Sequence, residues 1–263
     1  MARPIVKIER NQKLGNVNSL KEPLKRAYWI LVDAILEMQE IVELPLENDD
    51  ELLEVYSALE YDYPELGLIW DYESCGYYKW KRNGRAEMSL RMSYRGTRAE
   101  IETRIRKVEA KVERIIEESL GEKTRTDQEM IEQVCKYLVS HYHYSAPIGK
   151  NKKGKNIYPQ DSYTIECLLK GDGVCAGMAS SLTYILHKLQ IPVVTVLGDA
   201  LVQKGREAHA WNIVQNVDGS YRHIDVTWDL SGNKLFLEYR NLDDVAMRVR
   251  RHLWATEKYP CCV

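Results

Sequence analysis

Apolar residues recur every three or four positions through residues 21–43 (Leu24, Tyr28, Leu31, Ile35, Met38), the spacing of one buried helix face. A second, shorter helix is expected over 49–60, opened by the capping side chains of Asn48-Asp49. From about 67 to 95 the period changes to two. In "YYKWKRNGRAEMSLRMSY", two alternating runs flank Asn83-Gly84, a pair that favours tight hairpin turns. A long charged helix follows over about 98–120. Ile101, Ile105, Val108, Val112, Ile115 and Ile116 form its apolar stripe, and Gly121 closes it.

The polar segment 122–127 breaks the pattern and marks a boundary between an accessory region, 1–122, and a second domain, 123–263. Thr126 and Glu129 have the spacing of a capping box for a helix over 127–141. Next come a lysine-rich loop at 149–155, a short helix from Asp161 or Ser162, and a helix after Cys175 whose buried face is Met178, Leu182, Ile185 and Leu189. The β-rich stretch 191–228 leads to a short last helix from Asn241, with His252 near its end. Helices followed by a run of antiparallel strands make the fold class α+β.

Composition narrows the function classes. The chain is 44% hydrophobic and 29% charged with a net charge of −2, so charge gives no reason to expect nucleic acid or an anionic membrane as partner. The most apolar stretch, Trp29 to Val42, contains Asp33, Glu37 and Glu40 and reads as a soluble helix rather than a membrane span. No signal peptide is read in the first residues, which makes a cytoplasmic location the expectation. The six cysteines (75, 135, 167, 175, 261, 262) form no C-x-x-C pair, so zinc-site spacing is absent and neither a metal nor another cofactor is expected. Free thiols in a reducing compartment fit this pattern.

One cysteine stands apart. A cysteine in a glycine turn reads, by itself, as a small apolar residue filling a core. Cys175, in "GDGVCAGMASS", also falls in the first turn of a helix, where unpaired N–H groups and the positive dipole end favour a thiolate and can hold an oxyanion. Gly171, Gly173 and Gly177 keep that corner free of bulk. A thiol nucleophile needs a base, and the base an orienting group. His141 and His143 follow a helix in an exposed turn, His187 lies three turns beyond Cys175, and a dipole interaction accounts for His252 at a helix end. His209 in "HAWNIVQNV" and His223 in "SYRHIDVTWD" remain.

These two segments form a hairpin around Asp218-Gly219. A two-residue loop puts His209 and Asp225 on opposite faces. A three-residue loop, Val217–Gly219 with Gly219 left-handed, puts Asp225 opposite Trp211 and diagonal to His209, within hydrogen-bonding reach. Ala210, Val214, Ile224, Val226 and Trp228 then fill the reverse face. Periodicity supports both registers, and a one-residue slip exchanges every face.

The ordered blocks "GDGVCAGMASSLTYILHKLQIPVVTVLGD", "HAWNIV" and "YRHIDVTWD" resemble the transglutaminase-like superfamily in its bacterial form, candidate cysteine proteases. Its pattern runs G-x-x-C-x-G-[YFM]-A, H-A-W-N, D-x-T-W-D. The likeness extends over about 127–263. It implies a papain-like core with Cys175 as nucleophile, His209 as general base and then acid, and Asp225 fixing the imidazole tautomer. Acyl transfer from an amide through a thioester follows, on a peptide or protein substrate or a small amide. Trp211 and Trp228 are expected to wall the site or the core, Trp211, Tyr163 and Gln160 to bind substrate, and Gln160 or Tyr163 to assist the oxyanion. Ala176 stands where many relatives carry a polar residue, and many bacterial relatives are exported. Three functions are weighed: an amide hydrolase of the peptidase type, an acyltransferase to an amine acceptor, and a non-catalytic binding module. The intact triad residues argue against the last.

Overall fold

The computed structural model describes residues 5–8, 10, 13–82, 85–123, 125–203, 205–231 and 238–263. They form an α+β fold in two compact units, Met1–Arg106 and Lys107–Val263.

The first unit contains α1 (Leu24–Glu37), β1 (Ile41–Leu44), α2 (Asp49–Asp62), β2 (Gly76–Arg82), β3 (Arg85–Arg91) and the opening turns of α3 (Arg98–Leu120), which runs into the second unit. α1 buries Tyr28, Leu31 and Ile35 as its spacing requires, but it stops before residue 43. Met38 turns left-handed (φ 55), and the next segment alternates, with Val42 and Leu44 buried and Ile41 and Glu43 exposed. Alternation outcompetes the helical period there, and β1 joins a three-stranded sheet in the order β1-β3-β2. Arg82 pairs with Arg85 across the hairpin; the Asn83-Gly84 turn itself lies outside the described residues. Asn48 caps α2 by accepting the Glu51 N–H at 2.9 Å. Asp62, at the end of α2, is buried and accepts from Asn16 N (2.6 Å), Asn16 Nδ2 (3.0 Å), Val17 N (2.9 Å) and the Tyr28 hydroxyl (3.0 Å). One carboxylate thus ties the N-terminal segment and α1 to α2.

The second unit holds α4 (Asp127–His141), β4 (His143–Tyr144), β5 (Gly149–Lys150), β6 (Asn156–Ile157), α5 (Cys167–Lys170), β7 (Asp172–Gly173) and α6 (Cys175–Lys188). After them come β8 (Val193–Val202), β9 (Gly205–Gln215), β10 (Tyr221–Ile224), α7 (Val226–Ser231), α8 (Asp244–Val249) and β11 (His252–Trp254). Thr126 and Glu129 make both halves of the capping box of α4. The short helix expected from Asp161 or Ser162 is instead a 3-10 turn, Gln160–Tyr163, followed by the single turn of α5. The last helix starts at Asp244 rather than Asn241, because the Asp243 carboxylate caps it through the Ala246 N–H at 2.7 Å.

The main sheet has the antiparallel order β10-β9-β8-β11. Its β9–β10 hairpin takes the three-residue loop: Tyr221 lies opposite Gln215, Ile224 opposite Asn212, and Gly219 is left-handed (φ 85). β10 ends at Ile224. Val226 and Trp228, expected on the strand's reverse face, lie in α7, because the Asp225 carboxylate accepts the Trp228 N–H (3.0 Å) and its carbonyl the Asp229 N–H (3.3 Å), starting a helix. Along β9, Asn212 turns to α6, donating to Ala179 O (3.1 Å) and Thr183 Oγ1 (2.9 Å). His209 and Trp211 face the other way. No helix among the described residues is long and apolar enough to cross a membrane.

Asp62→Ala is expected to lower the stability of the first unit by about 3 kcal/mol, since it strands several buried donors. The measurement is amide hydrogen exchange in α1 and α2, which should accelerate there while β8 and β9 stay protected.

Candidate functional site

Cys175 is the first residue of α6 and is half-buried. Val174 before it is extended (φ −88, ψ 176), and as the N-cap it gives the helix no side-chain hydrogen bond. Glycines make this corner possible. Gly171 ends α5 with φ 87. Gly177 lets the 160–164 segment lie against α6: a Cβ there would sit 2.2 Å from the Ser162 carbonyl oxygen. The same carbonyl accepts the Val174 N–H at 3.0 Å. The 3-10 turn that carries Gln160 and Tyr163 is therefore held at the first turns of α6, both side chains exposed. Tyr158 packs edge-on between Tyr144 (5.8 Å) and Tyr163 (6.3 Å). Burial pushes the Tyr144 phenol up, and the neighbouring Cys175 adds to that rise.

His209 Nε2 lies 2.5 Å from Asp225 Oδ2, with both side chains nearly inaccessible. Its other ring nitrogen, Nδ1, is the one left for the Cys175 thiol, which lies near enough to favour the protonated ring. Burial alone would pull the imidazole pKa down; the Asp225 charge and hydrogen bond, with help from Cys175, override it and raise it well above the ordinary histidine range. Burial would likewise push Asp225 up, but His209 and His252 hold its carboxyl below the ordinary range. The structure thus brings Cys175, His209 and Asp225 together.

Of the two places expected for Trp211, the site wall or the core, it takes the core: it is 1% exposed and stacked on His209 (5.8 Å, 23°), with its indole N–H donated to His223 Nδ1 at 2.9 Å, so it braces the imidazole. Gly198, paired with His209 across β8–β9, makes room for that indole: a Cβ there would sit 2.6 Å from the Trp211 ring. Trp228, half-buried, packs on His252 at 4.6 Å.

Two residues escape the sequence reading. Asn212 is a polar residue inside the apolar run "HAWNIV", and it fastens β9 to the cysteine helix. His252 lies not at a helix end but at the start of β11, fully buried, with Nε2 2.9 Å from Asp225 Oδ2. The left-handed Arg251 (φ 67) breaks the helix two residues after Val249. The one signal for this is the alternation of His252 and Trp254 around Leu253.

Two groups of side chains have the composition of metal ligands, among the described residues. In His209–Asp225–His252 both imidazoles contact one carboxylate oxygen directly, at 2.5 and 2.9 Å, which are hydrogen-bond separations rather than those of ligands spread around an ion. In His223–Asp244–Cys262 the Trp211 N–H fixes Nδ1 of His223 as an acceptor. The ring proton then sits on Nε2, facing Asp244 Oδ1 at 2.9 Å. In each arrangement the imidazole nitrogen nearest the carboxylate is committed to a hydrogen bond with it. Of the other thiols, burial pushes Cys135 and Cys167 up to about 12, while the Asp244 charge raises exposed Cys261.

Residues 114–226 match the family model of the transglutaminase-like superfamily. No curated protein matches the chain. Similar solved structures include a TGase (14% identity, TM-score 0.40, covering 73% of this chain and 52% of that one). A candidate cysteine protease from Cytophaga hutchinsonii is 12% identical (TM-score 0.33, 60% and 65% covered). The periplasmic domain of TgpA from Pseudomonas aeruginosa is 14% identical (TM-score 0.34, 56% and 56% covered). The chain spans about half the length of the TGase and under two thirds of the other two.

Gly177→Ala is expected to force the Ser162 backbone off α6 and to lower the urea midpoint by the equivalent of about 2 kcal/mol. The same variant should slow alkylation of Cys175. An unchanged midpoint would show that the 160–164 segment gives way freely.

Proposed function

We propose, from the premise that the chain carries a transglutaminase-like superfamily domain over residues 114–226, that it is a cysteine-dependent acyl-transfer enzyme acting on amide bonds of peptides or proteins. The observation that carries this reading is the His209–Asp225 contact: with Nε2 committed to the carboxylate, Nδ1 is turned to the thiol. Asp225 supplies the orienting group that a thiol–imidazole pair requires.

The steps follow from these positions. The Cys175 thiol gives its proton to His209 Nδ1, and the sulfur attacks the amide carbonyl carbon. The first N–H groups of α6, which the N-cap Val174 leaves without a side-chain cap, meet the oxygen as it becomes negative. As the carbon–nitrogen bond breaks, His209 returns the proton to the departing amine, leaving a thioester on Cys175. Water, deprotonated by His209, then attacks the thioester carbon, the carbon–sulfur bond breaks to release the carboxylic acid, and His209 returns the proton to the sulfur. An amine entering in place of water gives the transferase reaction by the same sequence. Gln160, Tyr163, Tyr144 and Tyr158 stand where they can contact the acyl donor. Burial of Trp211 leaves it a supporting role behind His209.

Iodoacetamide is expected to label Cys175 well ahead of Cys261, an exposed thiol of the same chain. His209→Ala should remove that advantage. Asp225→Asn should weaken it, since loss of the carboxylate charge lowers the imidazole pKa and with it the imidazolium fraction near neutral pH. Equal labelling of the two thiols in the wild type would sink the nucleophile assignment. A quenched peptide library, digested with and without a primary amine, then separates hydrolysis from transfer by product mass: water-only products identify a hydrolase.

A further inference from the structure

We infer that His252 is a positioning residue: it shares Asp225 with His209, and its charge and hydrogen bond hold the carboxylate so that His209 Nδ1 faces the Cys175 thiol. The inference rests on the acyl-transfer reading and adds a fourth side chain to that machinery.

The hydrogen bonds define the proton inventory. His252 Nδ1 lies 3.0 Å from the Arg250 carbonyl oxygen, which can only accept, so Nδ1 carries a proton. Nε2 lies 2.9 Å from Asp225 Oδ2, also an acceptor when ionised. A ring that donates at both nitrogens is an imidazolium, and here it sits against a buried carboxylate that also takes the His209 Nε2–H and, through Oδ1, the Trp228 N–H. A neutral His252 would instead aim a lone pair at Oδ2. Four side chains share the labile protons, and the His252 cation lies directly against the buried Asp225 anion.

The titratable and charged groups facing His252 are His209 from β9 (5.3 Å between rings), Asp225, His223 from β10, and Tyr239 (6.0 Å), over which the Arg250 guanidinium lies at 5.8 Å. Asp225 is the one carboxylate among them, and it lies in direct contact with the ring. Trp211 and Trp228 close the remaining sides, at 5.0 and 4.6 Å. The backbone fixes the ring: β11 pairs with β8 through His252 opposite Ala200.

The sign of the effect follows. A cation beside a thiol and an imidazole lowers the pKa of both, so removing it moves the thiol's reactivity to higher pH. Lost positioning, by contrast, lowers turnover without changing the pH at which the thiol becomes reactive.

The test compares His252→Gln, whose side-chain amide can still donate to Asp225 but carries no charge, with His252→Ala, which loses both. The rate of Cys175 alkylation by iodoacetamide is followed against pH in the full chain, with Cys261 as internal reference and thermal unfolding as a check on folding. The expected result for His252→Gln is a folded protein whose Cys175 profile shifts up by about one pH unit. Once a substrate is in hand, kcat should fall about a hundredfold in His252→Ala with KM little changed, and His252→Gln should recover part of it. A folded His252→Gln with the wild-type profile overturns the inference while leaving Cys175 as nucleophile. A wild-type Cys175 no faster than Cys261 overturns the acyl-transfer reading itself.

Discussion

The second unit depends on how one buried anion is satisfied. Asp225 is 1% exposed, and an unpaired carboxylate at that depth costs several kcal/mol. It is met by donors from three directions: His209 on β9, His252 on β11 and the Trp228 N–H of α7. The two imidazoles are 16 and 27 residues away in sequence, so folding must bring the hairpin and the edge strand together before the charge is compensated, while the Trp228 N–H, three residues on, is supplied locally. The carboxylate defines the site and also locks the three elements around it. Aromatic rings from Trp211 and Trp228 exclude water from the cluster, which strengthens each of its hydrogen bonds.

Much of this is legible in the chain, and the rest is hidden for identifiable reasons. Where one period runs long and unbroken, as in α3, or a cap is written in the side chains, as at Asn48 and Thr126, the elements stand as read. Two competing periods across Ile41–Leu44 hide a strand inside an apparent helix. The hairpin register cannot be chosen from alternation, since both registers bury acceptable faces; a left-handed Gly219 decides it. Alternation puts Asp225 near His209 for the right loop but in the wrong element, because a strand pattern does not announce that its last residue will cap a helix. His252 reads as a helix end because a single left-handed arginine, Arg251, is what converts that end into a strand, and nothing in local composition marks it.

β9 carries contacts on both of its faces around His209. Its alternation points His209 at Asp225 and, three residues on, Asn212 at α6. The strand is therefore anchored on both faces. Through Asn212 it is tied to the Ala179 carbonyl, one turn past Cys175, and through His209 to the carboxylate. The helix that carries the thiol is hydrogen-bonded to β9 through Asn212, and the imidazole is carried by β9 itself, so one strand positions both. A shift of β9 by one residue would turn His209 toward α6 and Asn212 toward Asp225, breaking both anchors together. Register, charge compensation and the thiol–imidazole geometry are therefore one constraint, and the Val217–Gly219 loop is where it is imposed.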